Sequence, residues 1–380
     1  MDSQNGPAHI ARVTASAPSR SPARPRPRWL SPGRLALLLV LLLVVLAGGH
    51  TILWNTMSSR LQSGFDAWAA ARRAQGWRIE HGTPTRGGWP LSATLRLPDF
   101  RLSGGGATVP GGLDWTARAV TLRVALPRLD TLHISAGGPQ RLRLGTLDLP
   151  FAADRLAGRL PLQPYVLPRG GSFETSRLRI GTEAGGVEVG SATLEFDSRS
   201  TAIEGEAAIR LEGSARAIML PSNGPLGRSI QEAALEANLT GPLPAGRSPT
   251  NRAEAWRDAG GTLEIRRLDL RWGPANAQAA ATVALDDALQ PMGAGTLKLA
   301  GAEAVVDALA NAGLIPARSA ALARRVVGML ARPPAEGEPP QLEVPLTLED
   351  RSLSVARIPV ARLPALTWPA GQAEGPGPGP

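Results

Sequence analysis

The stretch LRLPDFRL, residues 95–102, decides the fold of this chain. Apolar and charged residues alternate on both sides of its central Pro98-Asp99. A period of two indicates a β-strand with one apolar side. The same pattern recurs as LRLGTLDL at residues 142–149 and as LEIRRLDL at residues 263–270. The repetition predicts a sheet whose strands share an apolar side.

The alternation slips by one residue at the centre of each copy. A slip would turn the apolar side of a strand over, unless a bulge or a bend absorbs the extra residue. We expect long strands that bend at Pro98-Asp99, Gly145-Thr146 and Arg266-Arg267; two short strands joined by a tight turn remain the alternative. The apolar residues of the three copies are the candidate lining of a groove: Leu95, Leu97, Leu142, Leu144, Leu263 and Ile265.

Similar runs continue through most of the chain, with Gly, Pro and Asp between them. Such spacing predicts an antiparallel sheet built from hairpins. The fold class is therefore mainly β with a few helices, in an extended or curved antiparallel sheet. The predicted strands are residues 91–102, 117–126, 131–135, 141–149, 172–180, 187–196, 202–220, 233–239, 261–272, 277–285, 295–300, 341–348 and 352–358.

Two segments interrupt the strand pattern with helical periodicity. Residues 251–258 predict a short helix, and residues 301–334 predict two helices separated by Gly313 and Pro316. We expect these amphipathic helices to cover one face or end of the sheet. Their apolar positions are Val305, Val306 and Leu309 in the first of the two helices, and Leu322, Val326 and Met329 in the second.

The chain begins with a basic segment followed by an apolar one. Residues 35–54 carry no Asp, Glu, Lys or Arg, and a helix of that length spans about 30 Å, the thickness of a bilayer core. Six arginines and a single acidic residue, Asp2, lie before it, which predicts a cytoplasmic tail over residues 1–34 and an exported body. A cleavable signal that is processed near Ala47-Gly48-Gly49 is the alternative to a retained transmembrane anchor.

Residues 55–77 follow the anchor with an apolar stripe at helical spacing. A core-facing helix is the preferred interpretation, and an amphipathic helix on the bilayer surface is the alternative. The β-rich domain is expected over residues 78–368 and a disordered tail over residues 369–380. The stripe consists of Met57, Leu61, Phe65, Trp68 and Ala71.

Few residues of this chain suit catalysis or metal binding. Among 380 residues there is no cysteine and there are four histidines, and no common nucleotide-binding, hydrolase or metalloprotease motif occurs. The pairs Asp286-Asp287 and Glu349-Asp350 lie where turns are expected, so we interpret them as turn residues. We expect no enzyme activity and no cofactor. The net charge of +9 has no accompanying basic and aromatic cluster, so nucleic acid is not an expected partner.

Two parts of the chain resemble the proteobacterial domain of unknown function 2125. These are GFDAWAAARRAQGWRIEHGTPTRGGWPLSATLRLPDFRL and GGTLEIRRLDLRWGPANAQAAATVALDDALQPMGAGTLKLAGAEAVVDALANAGLI. The resemblance extends from about Gly64 to Ile315 and implies no reaction. An anchor followed by repeated strands also resembles, in architecture, the AsmA-like envelope proteins, which implies a β-groove linked with lipid traffic. The motif positions are Trp77, Gly88, Pro90, Trp272, Gly273 and Pro274.

These observations lead to two hypotheses for a protein of the bacterial inner membrane with a periplasmic body. The first is a non-enzymatic protein that handles lipid acyl chains along an apolar sheet face and maintains the envelope. The second is an anchored scaffold that binds another envelope protein through sheet edges and the helix carrying Arg324-Arg325.

Overall fold

The computed structural model describes residues 32–104, 112–145, 147–162, 169–244, 248–330 and 341–368. The predicted tail 369–380 and nearly all of the predicted basic segment 1–34 lie outside these residues. The described residues from Leu53 onward form one compact unit, and those up to Ile52 form another.

The described residues form four helices and 17 strands. The helices are α1 (Pro32–Ala74), α2 (Pro249–Asp258), α3 (Ala302–Asn311) and α4 (Ala317–Leu330). The first nine strands are β1 (Arg78–Glu80), β2 (Thr85–Gly87), β3 (Ser92–Gly104), β4 (Leu113–Ala125), β5 (Arg128–Leu144), β6 (Leu147–Ala152), β7 (Arg155–Pro161), β8 (Gly170–Thr182) and β9 (Gly185–Ser198). The others are β10 (Ala207–Gly224), β11 (Gly227–Thr240), β12 (Leu263–Trp272), β13 (Ala275–Leu285), β14 (Pro291–Ala300), β15 (Gln341–Glu349), β16 (Ser352–Val355) and β17 (Ile358–Arg362).

All 17 strands belong to one sheet, in which every described ladder is antiparallel. From β8 to β17, each strand pairs with the next strand in the chain. Strands β6 and β7 share the place between β5 and β8, and both β1 and β2 pair with β3. The prediction of a large antiparallel sheet is confirmed.

Two of the three predicted bends are present within continuous strands. In β3, Asp99 has a φ of 49°, and Leu97 and Phe100 on either side of it are both buried. In β12, the pairing with β13 shifts between Ile265 and Leu268, so Arg266 and Arg267 form a bulge. Each irregularity absorbs one residue and returns the apolar residues to the same side of the strand.

The middle copy of the pattern forms a hairpin. Strand β5 ends at Leu144 and β6 begins at Leu147, and these two residues are paired. The predicted bend at Gly145-Thr146 was therefore wrong and the tight-turn alternative was right; Thr146 itself lies outside the described residues. Gly145 has a φ of 58°, a conformation that glycine adopts without strain and that a turn of this kind requires.

The second half of α1 packs on the first strands of the sheet. Phe65 and Ala69 are buried against the apolar side of β3, β4 and β5, and Leu61 and Trp68 contact the same cluster. The helix ends where Gly76 takes a φ of 86° and the Trp77 amide donates to the Arg72 carbonyl. The core-facing interpretation of this helix is thus confirmed. The cluster contains Ile79, Leu95, Leu97, Phe100, Ala117, Val120, Leu122 and Ala136 from the sheet.

The first part of α1 meets the requirements of a membrane span in length and composition. An 18-residue window of this helix has a mean hydropathy of 2.6. A signal sequence near an N-terminus has the same character, so both interpretations of residues 35–54 stay open.

The predicted positions of the other helices are confirmed. Ser248 caps α2, because its hydroxyl accepts from the Asn251 amide at 3.5 Å. A 3.1 Å ion pair between Arg324 and Asp307 joins α4 to α3. Leu322 and Met329 of α4, which were expected to cover the sheet, are exposed, so the predicted cover by amphipathic helices is not confirmed.

Candidate functional site

The ladders place apolar side chains in continuous rows across the sheet. Residues that are directly opposite each other in neighbouring strands lie on the same face of a sheet. We call the longest of these sets the central row, which begins in β3 and ends in β15. It contains Leu95, Leu122, Ile134, Gly158, Phe173, Leu194, Gly213, Leu235, Leu268, Ala279, Leu297 and Val344.

Two further rows lie beside the central row. Together, the three rows define what we call the apolar face. The first added row contains Gly171, Phe196, Leu211, Ala237, Ile265, Ala281, Gly295, Leu346 and Val355. The second contains Ser198, Ile209, Leu239, Leu263, Val283, Gly293, Leu348, Leu353 and Ala361.

The apolar face differs in burial between its two ends. Under α1, Leu95 is completely buried, as the core cluster requires. Further along the same row, Leu194 remains 38% exposed and Leu268 remains 41% exposed. Leu235 and Leu297 are half-buried. From β9 to β14, water therefore has access to a row of aliphatic side chains that would ordinarily form a core.

Two phenylalanines lie between the covered and the accessible parts of the apolar face. The rings of Phe173 and Phe196 stack with a centroid distance of 6.1 Å. A Cβ atom at Gly158 would lie 2.7 Å from the Phe173 ring, and one at Gly171 would lie 3.1 Å from the Phe196 ring. The rings thus cover two glycines of the neighbouring strands, as is common where an aromatic side chain lies across a sheet.

The opposite face of the sheet is charged. Arg216 and Arg271 bind Glu232 from both sides at 3.1 and 2.8 Å. Arg101 donates to Asp114 at 2.7 Å, and this hydrogen bond, followed by the charge of the same carboxylate, raises the pKa of Arg101. Exposed ion pairs of this kind contribute little stability, about 0–1 kcal/mol each. They do keep this face polar while the other face is apolar.

A cavity of about 690 Å³ lies among strands β5 and β7–β11. Arg159, Arg210, Glu195 and Glu212 of the charged face contribute to its lining. Among the residues that the structure describes, no group of three histidine, aspartate or glutamate side chains could hold a metal ion. The two acidic pairs that the sequence assigned to turns do lie in turns. The backbone carbonyl of Asp286 accepts from the Leu289 amide, and Asp350 lies between β15 and β16.

Two of the six predicted lining residues are completely buried, and the other four are half-buried. Leu95 and Leu97 are completely buried beneath α1. Leu142 and Leu144 lie in the last part of β5, beside Trp115 and Leu113 of β4, and are half-buried. Leu263 and Ile265 are half-buried members of the apolar face itself.

Sequence reasoning missed most of the accessible part of the apolar face. Leu194, Leu235 and Leu297 lie within or beside predicted strands, but nothing in their local sequence aligns one with another. Alignment across strands depends on register, which the turns and bulges set. The alternation within each run was the available signal. It predicts which side of a strand is apolar, but not which residues of the neighbouring strands lie opposite.

The family-motif positions lie in or next to turns. Gly88 has a φ of 90°, and a Cβ atom there would lie 2.6 Å from the Ser92 carbonyl oxygen. Gly273 has a φ of 55°, and a Cβ atom there would lie 2.4 Å from the Leu226 carbonyl oxygen. The Trp272 indole donates to the Gly227 carbonyl at 2.9 Å, joining two hairpins. The other motif positions are Trp77 at the end of α1, Pro90 beside Gly88 and Pro274 between β12 and β13.

The fold and the site together define a class of protein: a single large antiparallel sheet with one apolar and one charged face, preceded by a helix that could cross a membrane. Residues 54–364 match a bacterial family described as uncharacterized protein conserved in bacteria (DUF2125). The chain belongs to the DUF2125 family, which confirms the resemblance found in the sequence. Comparison with curated proteins and with solved structures gives no match. The architectural resemblance to AsmA-like proteins stays a prediction.

Proposed function

We propose that this protein handles lipids without catalysing a reaction, by holding acyl chains along the apolar face between β9 and β14. The observation that supports this proposal is that Leu194 and Leu268, two aliphatic members of the central row, are partly exposed. A bound acyl chain would remove these side chains from water. Such a site needs no polar or catalytic group, because desolvation alone provides the binding free energy.

The dimensions of the row suit an acyl chain. From Leu194 to Leu297 the accessible part of the central row crosses six strands, and Val344 beyond it is buried. With a strand spacing of about 4.8 Å, this part is roughly 24 Å long. One leaflet of a bilayer core is about 15 Å thick, so a chain from one lipid fits within this length. Each methylene that is removed from water contributes about 0.8 kcal/mol.

The lipid content of two neighbouring variants tests this proposal. Leu235 belongs to the central row, whereas Ala234 lies in the next position of β11 and on the charged face, opposite Ser214 and Asp269. We expect Leu235→Glu to reduce the phospholipid that co-purifies with the full chain in detergent at least about tenfold, which corresponds to 1.4 kcal/mol. An unpaired carboxylate on the apolar face costs more than that to desolvate.

Ala234→Glu is the matched control, because it adds the same charge to the other face of the same strand. The segment of residues 35–54 is identical in all three proteins, so lipid bound there cancels in the comparison. Mass spectrometry of the extracted lipid gives the amounts. Equal lipid contents in the two variants and the unchanged protein would contradict the proposal.

We further infer that residues 35–54 are a retained anchor in the inner membrane and that the body is periplasmic. Six arginines precede residue 35, with Asp2 as the only acidic residue there, and charge of this distribution favours a cytoplasmic N-terminus. Alkaline phosphatase fused to the C-terminus is therefore expected to be active in cells, and the intact 39.7 kDa chain is expected in the membrane fraction. An inactive fusion, or a chain that starts near Gly49, would contradict this inference.

An anchored scaffold that binds another envelope protein is the second candidate function. It is favoured by α4, on which Leu322 and Met329 are exposed one above the other at a spacing of two helical turns. Of the two arginines expected to contact a partner, Arg324 pairs with Asp307, and Arg325 is exposed on the surface. A photo-crosslinker at Met329 that captures the same envelope protein in Leu235→Glu as in the unchanged chain would support this function instead.

A further inference from the structure

Two turns lie side by side at one end of the first strands of the sheet. One turn contains Trp89, Pro90 and Leu91 and leads into β3; the other contains Leu126 and connects β4 to β5. The Leu126 amide donates to the Leu91 carbonyl at 3.0 Å, which holds the turns together. The two turns therefore form one continuous surface.

This surface is apolar and exposed. We call it the apolar tip and define it as Trp89, Leu91, Leu126 and Leu129. Leu91 is 66% exposed, although the adjacent Ser92 and Leu95, four residues further along the chain, are buried. Four exposed large apolar side chains on two joined turns and the start of β5 are unusual on a surface that faces only water.

The apolar tip is joined to the end of the predicted membrane span. Trp54 is the last residue of the apolar segment, and its indole donates to the Ser92 carbonyl at 2.9 Å. Ser92 is the first residue of β3 and is paired with Ala125 of β4. Tryptophan at the end of a transmembrane segment lies at the level of the lipid head groups. The hydrogen bond therefore brings the apolar tip to the level of the head groups whenever Trp54 lies there.

We propose that the apolar tip inserts into the interfacial layer of the membrane that holds residues 35–54. Trp89 combines an apolar ring with a polar N–H, as interfacial side chains do. Arg128, at the start of β5 beside Leu129, is exposed, which suits the head groups of anionic lipids. This second contact fixes how the sheet is oriented on the bilayer. It depends on membrane anchoring and not on acyl-chain binding by the apolar face.

Site-specific fluorescence in proteoliposomes tests this contact on the full chain. The chain has no cysteine, so Leu91→Cys and Leu126→Cys each provide a unique site for an environment-sensitive label. Ile203→Cys is the matched control, because Ile203 is 65% exposed in the turn between β9 and β10. The probe is a vesicle of phosphatidylglycerol and phosphatidylethanolamine in which some lipids carry a nitroxide near the top of the acyl chain.

The expected result is a blue-shifted emission and strong quenching by the nitroxide lipid at residues 91 and 126, with neither effect at residue 203. The same quenching is expected when Leu235→Glu is added, which separates this contact from the proposed function. Labels at 91 and 126 that are quenched no more than the label at 203 would overturn the proposal. Protection from a water-soluble quencher without quenching by the lipid would also overturn it, since another protein would then cover the tip.

Discussion

Within the described strands, three residues other than glycine have a left-handed backbone, which residues with a Cβ atom rarely adopt. They are Asp99, Arg177 and Ala217, with φ values of 49°, 48° and 53°. Each lies where the apolar alternation of its strand slips by one residue. Arg177 of β8 and Ala217 of β10 both border residues paired with Val189 of β9, so their bends lie in line across the sheet. Backbone strain at single residues thus keeps the apolar face continuous.

Replacing Ala217 with glycine is expected to stabilise the protein. The left-handed conformation costs a residue with a Cβ atom about 1–2 kcal/mol, whereas the added flexibility of glycine in a strand costs about 0.5–1 kcal/mol. The net gain in the free energy of unfolding is therefore roughly 1 kcal/mol. Thermal unfolding of the full chain in detergent measures the change.

Ala215→Gly in the same strand is the control, because Ala215 has an ordinary φ. We expect it to lower the free energy of unfolding by about 0.5–1 kcal/mol. Equal destabilisation by the two glycines would mean that Ala217 is not strained and that the bend in β10 does not depend on it.

The sequence predicted one of these three bends, and the side chains around it explain why. At Asp99 the flanking residues are Leu97 and Phe100, large apolar side chains whose change of phase is easily recognised. Around Ala217 the flanking positions are Ala215 and Ile218, and alanine carries little signal for either face. At Arg177 the residue before the slip is Thr175, which is similarly ambiguous.

The second half of α1 is the element that closes the hydrophobic core over β3–β5. Three of its five predicted stripe positions, Leu61, Phe65 and Trp68, pack on the sheet. Met57 is half-buried, and Ala71 is exposed, with Ala69 buried in its place. The helical repeat explains this difference, since residue 69 follows residue 65 by four positions and residue 71 falls on the other side. Removing the contact of this helix should therefore expose Leu95, the member of the central row that is completely buried.

Phe65→Ala is the variant that tests the packing of α1. Phe65 is buried and contacts Trp68 and His81 with ring centroid distances of 5.9 and 5.3 Å. Loss of a buried phenylalanine typically lowers the free energy of unfolding by about 3–5 kcal/mol. The exposed neighbour Asp66→Ala should change it by less than about 0.5 kcal/mol. Chemical denaturation in detergent measures the free energy of unfolding of both variants. Similar changes in the two variants would show that α1 does not close the core.

Elements with long alternating runs were predicted well from the sequence, and short elements were not. Strands β1, β2 and β7 were missed because three residues, or a run such as RLAGRLP with its central glycine, carry too little periodicity. The helices α2, α3 and α4 were found because capping residues and Gly313 or Pro316 mark their ends. The sequence did not show that Leu322 and Met329 of α4 remain exposed. An apolar stripe predicts that one side of a helix will be covered, but not which surface covers it.

At the scale of the whole molecule, a sheet of 17 strands separates an apolar face from a charged one. The alternation of apolar and charged residues in the sequence predicted both the sheet and the difference between its two faces. The continuous central row could not be predicted, because it depends on the register of every ladder, and register is set by turns and bulges. Its accessibility from β9 to β14 is a property of tertiary structure alone, and the proposed function depends on it.

Photo-crosslinking at two adjacent residues of β9 tests the central claim most directly. Leu194 belongs to the apolar face, whereas Thr193 lies on the charged face, where its hydroxyl is 2.9 Å from that of Ser214. A benzophenone amino acid replaces each residue in turn in the full chain, which is then irradiated in liposomes whose lipids carry radiolabelled acyl chains. We expect covalent lipid at residue 194 and none at residue 193. Equal labelling at the two positions, or no labelling at residue 194, would contradict it.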